Sequence, residues 1–104
     1  MDEERTRVIA LPERLDSASV DSLKVEVQAA LEETKGIVLD FSRARFVDSV
    51  GLGTLVNLLK SETQQGIGLA LAGLTPQVRQ IFELTRLYRL FDIFETVEQA
   101  REAI

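Results

Sequence analysis

An α/β fold, with a mainly parallel (mixed) sheet of about four strands covered by about four helices, follows from three observations on this 104-residue chain. Short apolar runs alternate four times with stretches whose apolar positions recur at helical spacing, the order expected when helices cover a parallel sheet. One run, Ile37 to Phe41, is rich in β-branched residues and lacks polar alternation, as in a strand covered on both sides. At 45% hydrophobic residues, a chain of this length supports one core and is too short for two, so residues 1–104 are expected to form one domain.

The elements follow in order. Val8 to Leu11 is a short strand closed by Pro12, which has no N–H to extend a ladder. Val20, Leu23, Val27, Ala30 and Leu31 mark one buried helix face, with Asp16 and Ser17 ahead as N-cap types and Gly36 behind as a terminating glycine. Ile37 to Phe41 takes the sheet centre. Leu52, Leu55, Val56 and Leu59 predict a second helix that begins at Asp48-Ser49 and ends near Gly66. Ile67 to Ala72 is a third strand. Thr75-Pro76 opens a third helix, with Val78, Ile81 and Phe82 on one face. Leu90 to Phe94 reads as a fourth strand, and Thr96-Val97-Glu98-Gln99 has the capping-box pattern of a short terminal helix.

Composition excludes several classes of function. The net charge of −5 leaves no basic footprint for a nucleic acid. With no histidine and no cysteine, disulfides, thiolate nucleophiles, imidazole bases and the usual zinc ligands are all missing. The start, MDEERTR, is charged, and no apolar run is long enough for a membrane span or a signal-peptide core, so a cytoplasmic protein without membrane insertion is expected.

Phe46 to Gly53 is the segment where chemistry is most readily placed. Ser49 stands at the start of a helix, where free N–H groups and the dipole tolerate a phosphate. Gly51 and Gly53 carry no side-chain bulk, which would let a partner approach the serine. The same spacing is met by a plain helix cap at Asp48 or Ser49, and spacing alone does not separate the two. Gly51-x-Gly53 is too short a signal for a nucleotide-binding loop.

Two stretches together, Ile37-Val38-Leu39-Asp40-Phe41 and Phe46-Val47-Asp48-Ser49-Val50-Gly51-Leu52-Gly53-Thr54-Leu55, closely resemble the STAS family and, within it, the bacterial anti-sigma factor antagonists. In that family a buried strand ends in Asp and an apolar residue, and a loop then leads to Asp-Ser-Ser/Ala-Gly-Leu-Gly at a helix start. Looser likeness extends over nearly the whole chain, through Leu15-Asp16, Thr75-Pro76-Gln77-Val78 with Ile81-Phe82, and Leu87 to Phe94. Val50 stands where the family usually has Ser or Ala, and Glu13, after Pro12, stands where its early loop has Gly.

The resemblance implies a STAS fold and a partner-switching module that is not an enzyme. By it, Ser49 is the phosphorylation site, and Asp16, Asp48, Val50, Gly51, Leu52 and Gly53 bind the partner. The implied partners are a GHKL-type serine kinase that is also an anti-sigma factor, and a PPM-type phosphatase that reverses the modification. No cofactor, metal or catalytic residue is implied, since ATP is used by the kinase.

Other residues have plainer readings. Arg43 and Arg45 suit either a phosphate or ordinary solvated loop charge, and Arg86, Tyr88 and Arg89 pose the same question after the third helix. Phe82, Leu87, Leu90, Phe91 and Phe94 read as core or strand edge, with any exposed remainder open to a weak homodimer or partner contact. Two rival functions remain at this level. One is a STAS subunit of a membrane transport (ABC-type) or stress-signalling assembly without sigma-factor control. The other is a small enzyme using Asp16, Asp40 and Asp48 as paired carboxylates or magnesium ligands.

Overall fold

The computed structural model describes residues 6–104, and the charged start, Met1 to Arg5, lies outside them. In chain order the elements are β1 (Thr6–Ala10), β2 (Arg14–Leu15), α1 (Val20–Leu31), β3 (Gly36–Asp40), β4 (Phe46–Val47), α2 (Ser49–Gln64), β5 (Gly68–Ala72), α3 (Pro76–Thr85), a 3-10 turn (Leu87–Arg89), β6 (Asp92–Phe94) and α4 (Val97–Ala103).

The main sheet runs β1-β3-β5-β6. Its neighbours are parallel, with Val8 beside Val38, Leu39 beside Leu71 and Ala72 beside Phe94. Every pairing among the described residues is parallel, so the mixed character expected of the sheet is absent from them. Because β3 and β5 are the inner strands, both their faces are covered. This is why Ile37, Val38 and Leu39 are all fully buried and show no polar alternation.

Strands that advance in one direction across the sheet carry α1, α2 and α3 in one cluster on one face, as the usual right-handed crossover would place them. There Ile9, Ile37, Leu39, Leu69 and Leu71 join Leu23 and Val27 of α1, Leu55 of α2, and Val78 and Phe82 of α3 in one cluster. The opposite face is smaller. Val38, Ala70 and Ala72 lie with Ala100 of α4, flanked by Val8, Phe94 and Val97. The alanines there let the short α4 sit close to the sheet. Phe82 bridges two aromatics edge-on, Phe41 at 6.1 Å and Phe91 at 5.8 Å between ring centroids, so α3 anchors both the end of β3 and the entry to β6. Burial of each such Leu or Phe contributes about 1.5–3 kcal/mol.

Local chemistry sets the helix ends, with departures from the sequence-based expectation. At α3 the expected cap forms: Thr75 Oγ1 accepts the Val78 N–H at 3.5 Å, with Pro76 in the first turn. At α4 Thr96 Oγ1 accepts the Gln99 N–H at 3.1 Å, but Gln99 Oε1 accepts from Glu95, one residue before the capping-box position. Asp16 and Ser17 do not cap α1. They stand in a turn in which the Asp16 carbonyl accepts the Ser19 and Val20 N–H groups at 3.0 Å each, and Ser19 is the cap residue. Gly36 does not terminate α1 either. It is the first residue of β3, its N–H held by Thr34 Oγ1 at 3.1 Å, and α1 ends four residues earlier with Glu32 at the C-cap. The fourth strand is shorter than expected because Arg86 takes a left-handed conformation (φ 63°) and the 3-10 turn follows, so that β6 begins only at Asp92.

Candidate functional site

Beside the main sheet lies a small parallel ribbon that sequence periodicity does not reveal. β2 pairs with β4, Arg14 opposite Phe46 and Leu15 opposite Val47. Each strand has two residues, too few for alternation to register. Leu15 and Val47 are buried, so alternation turns Arg14 and Phe46 outward. The ribbon is continued by the Asp48 N–H, which donates to the Leu15 carbonyl at 3.3 Å, and is preceded by the Arg45 N–H on the Glu13 carbonyl at 2.8 Å. This pairing brings the Asp16 loop alongside the head of α2.

Asp48 is the N-cap of α2. Its backbone is extended, and Oδ1 accepts the Gly51 N–H at 2.9 Å. Ser49 is the first residue of the helix and is exposed, as is Val50 at 45%. Thr54 Oγ1 donates to the Val50 carbonyl at 2.9 Å, which fixes this first turn from within the helix.

The two glycines of the segment differ. Gly51 is buried, and a Cβ there would collide with the Leu15 carbonyl and press on Val47 Cγ1 at 3.0 Å. Its lack of a side chain admits β2, so that Gly51, expected at the docking surface, is covered by the Leu15 backbone. Gly53 is exposed with open space around it, and Leu52 is half-buried against the main core.

In the neighbouring loop Asp16 Oδ1 accepts the Ala18 N–H at 3.0 Å, while Oδ2 lies 3.5 Å from Arg14 Nε. Ser19 Oγ ties the loop down by accepting the Asp16 N–H at 3.1 Å and donating to the Arg14 carbonyl at 2.8 Å. The Arg14 guanidinium lies 4.3 Å over the Phe46 ring centroid. Arg14 does not stand out in the sequence and Phe46 does so only as the first residue of the Phe46 to Gly53 segment; their contact comes from the pairing of β2 with β4.

The remaining candidates are local. Arg45 faces Glu13 with 3.9 Å between Nε and Oε2, both side chains well exposed, and Arg43 lines a groove with Pro12, Ser19 and Glu26. Asp40 caps a turn through Oδ1 and the Ser42 N–H at 3.0 Å. The enzyme reading needed Asp16, Asp40 and Asp48 together, but each serves a backbone N–H in its own turn. Among the described residues no three acidic groups converge on a metal-sized space. At the far end of α2, Glu62 is buried with Oε1 lacking a hydrogen-bond partner, and that burial raises its carboxyl pKa. No helix of the described residues is long and apolar enough to cross a membrane.

Four parallel strands with an exposed serine heading α2 define a small α/β module of the STAS kind. The chain belongs to the STAS domain family, whose model matches residues 2–100. Among its relatives are mouse (Mus musculus) prestin, 44% identical over 55 residues, 53% of this chain and 7% of prestin, and the anti-sigma F factor antagonist of Paenibacillus polymyxa, 25% identical over 80 residues, 75% of this chain and 68% of that protein. The chain therefore spans only a small fraction of the much longer prestin. The solved structure of the anti-sigma factor antagonist SpoIIAA in its unphosphorylated form matches with a TM-score of 0.76 at 25% identity, over 93% of this chain and 85% of that one. The phosphorylated form of the Bacillus protein has the same fold, with a TM-score of 0.72 at 24% identity over 96% of this chain and 91% of that one.

Proposed function

We propose that this chain is an anti-sigma factor antagonist working in the cytoplasm by binding rather than by catalysis. Its unphosphorylated form binds a GHKL-type serine kinase that doubles as an anti-sigma factor, which frees the sigma factor. Phosphorylation of Ser49 abolishes that binding, and a PPM-type phosphatase restores it. The observation that carries this reading is the exposure of Ser49 at the first position of α2, next to the engaged cap Asp48 and beside the Asp16 loop. Val50 and Gly53 extend the exposed surface, with Leu52 half-covered beneath them.

An unmodified serine is small and neutral, so the face docks readily. A phosphate brings close to two negative charges and three acceptor oxygens beside Asp48. Two unit charges about 4 Å apart interact by roughly 4 kcal/mol at an effective dielectric near 20, and solvent screening at an exposed site lowers this to about 1–2 kcal/mol. That repulsion acts within this chain in the free and the bound form alike. What weakens the complex is the cost of desolvating the dianion against a partner face shaped for a neutral hydroxyl, and each 1.4 kcal/mol or so of that cost is tenfold in affinity. The helix itself tolerates the phosphate, because its N-terminal dipole favours an anion by about 0.3–1 kcal/mol. The switch is thus local, and the fold is retained.

The test is intact-mass spectrometry of the protein incubated with ATP and its cognate serine kinase, alongside Ser49→Ala. The reading expects one added phosphate, absent from the variant. An active kinase that leaves wild type unmodified would return Ser49 to the role of a first-turn residue. The prestin likeness favours a second reading, a STAS segment of a membrane-transport assembly. That result would move the assignment there.

A further inference from the structure

Arg14 has no part in the switch as described, yet it occupies the ribbon that adjoins Ser49. Its guanidinium is divided between the Phe46 ring, 4.3 Å to the centroid, and Asp16 Oδ2 at 3.5 Å, and its side chain is 62% exposed. Both contacts are weak, since one is a surface cation–π contact and the other a single-point ion pair. The other two cations of these loops are directed elsewhere, Arg45 to Glu13 and Arg43 to the groove beside Pro12. Phe46, opposite Arg14, precedes Ser49 by three residues, roughly 10 Å at the rise of an extended chain. Meeting across it requires the Arg14 side chain to swing from the Phe46 ring toward the head of α2.

We propose that Arg14 is a positioning residue that takes the phosphate of modified Ser49, leaving Asp16 and Phe46 as it does so. The inference rests on the reading of Ser49 as the acceptor. A dianion with three oxygens matches the guanidinium fork better than one carboxylate oxygen does. Its consequence is a second component of the switch. Phosphorylation uncovers the Phe46 ring and frees the Asp16 carboxylate, so the docking face changes shape as well as charge.

The test uses protein carrying genetically encoded phosphoserine at position 49, compared with the same protein bearing Arg14→Gln or Arg14→Lys, by phosphorus NMR titration at low salt. The second ionisation of the phosphate, ordinarily near 6, is expected to lie roughly half a unit lower with Arg14 than with Arg14→Gln. Lysine, which keeps the charge but loses the fork, restores only part of the difference. Phe46 ring resonances shift on phosphorylation in the Arg14 protein alone. Equal titrations in all three proteins, with Phe46 resonances unmoved, overturn the proposal. Installing phosphoserine needs no kinase, so that result leaves Ser49 standing as acceptor. A kinase that fails to modify Ser49 sinks the switch reading instead, with the Arg14 pairing measured separately.

Discussion

The Leu15 carbonyl packs against Gly51 more closely than any side chain would permit, and this contact locks β2 to the head of α2. The Asp48 N–H meets the same carbonyl at 3.3 Å, so one oxygen organises both the ribbon and the helix start.

Gly51→Ala is therefore expected to destabilise the protein by about 1–3 kcal/mol, since the displaced atom is backbone and cannot turn aside. Gly53→Ala, two residues on in an exposed and open position, is expected to stabilise by about 0.5–1 kcal/mol through helix propensity. Urea denaturation of the two variants checks the contrast in sign. Equal effects would contradict the separation of their roles.

Asp48→Ala removes the 2.9 Å bond to the Gly51 N–H and is expected to cost about 1 kcal/mol, whereas Asp48→Asn retains an acceptor and stays within a few tenths of wild type. Thermal unfolding distinguishes them. If Asn proved as damaging as Ala, the charge rather than the cap would be what matters at this position.

Glu62 gives a pH-dependent prediction. Its folded-state pKa is raised above the ordinary 4.5 by desolvation, so the folded form holds its proton more tightly than the unfolded one. The stability contributed by the protonated group is fully present below 4.5 and is lost as pH rises through the elevated folded value. Glu62→Gln should gain on wild type across that window, with the two curves converging in acid. The difference between their denaturant midpoints, measured from pH 4 to pH 7, isolates this group from the other carboxylates. A flat difference would show that Glu62 ionises in the folded state as it does in the unfolded chain.

Much of this architecture is legible in the residues, for reasons that are physical. The helices announce themselves through period: Leu23 and Val27 of α1 and Val78 and Phe82 of α3 face the core as their spacing requires. The inner strand is read from its unbroken burial at Ile37, Val38 and Leu39. The ribbon is not legible, because two residues carry no period and the pairing of Leu15 with Val47 is a contact across 32 positions. Gly51 and Gly53 look alike on paper for the same reason, since only the passage of β2 makes one of them a packing requirement. Gly36 was open to reading as a helix terminator, but it has no positive φ and belongs to a strand. The site is thus half-written in the chain: Asp48-Ser49 at the helix start is local, while the placement of Arg14, Phe46 and Asp16 beside it depends on tertiary contacts.

The central claim, that a phosphate on Ser49 governs partner binding without remaking the fold, is tested most directly by titration calorimetry. The cognate kinase is titrated with unmodified protein and with protein bearing phosphoserine at position 49, and the far-ultraviolet circular dichroism of both forms is recorded. The account predicts affinity at least about tenfold weaker for the phosphorylated form, with helical signal unchanged. Equal affinities, or loss of binding accompanied by loss of helix, would contradict it.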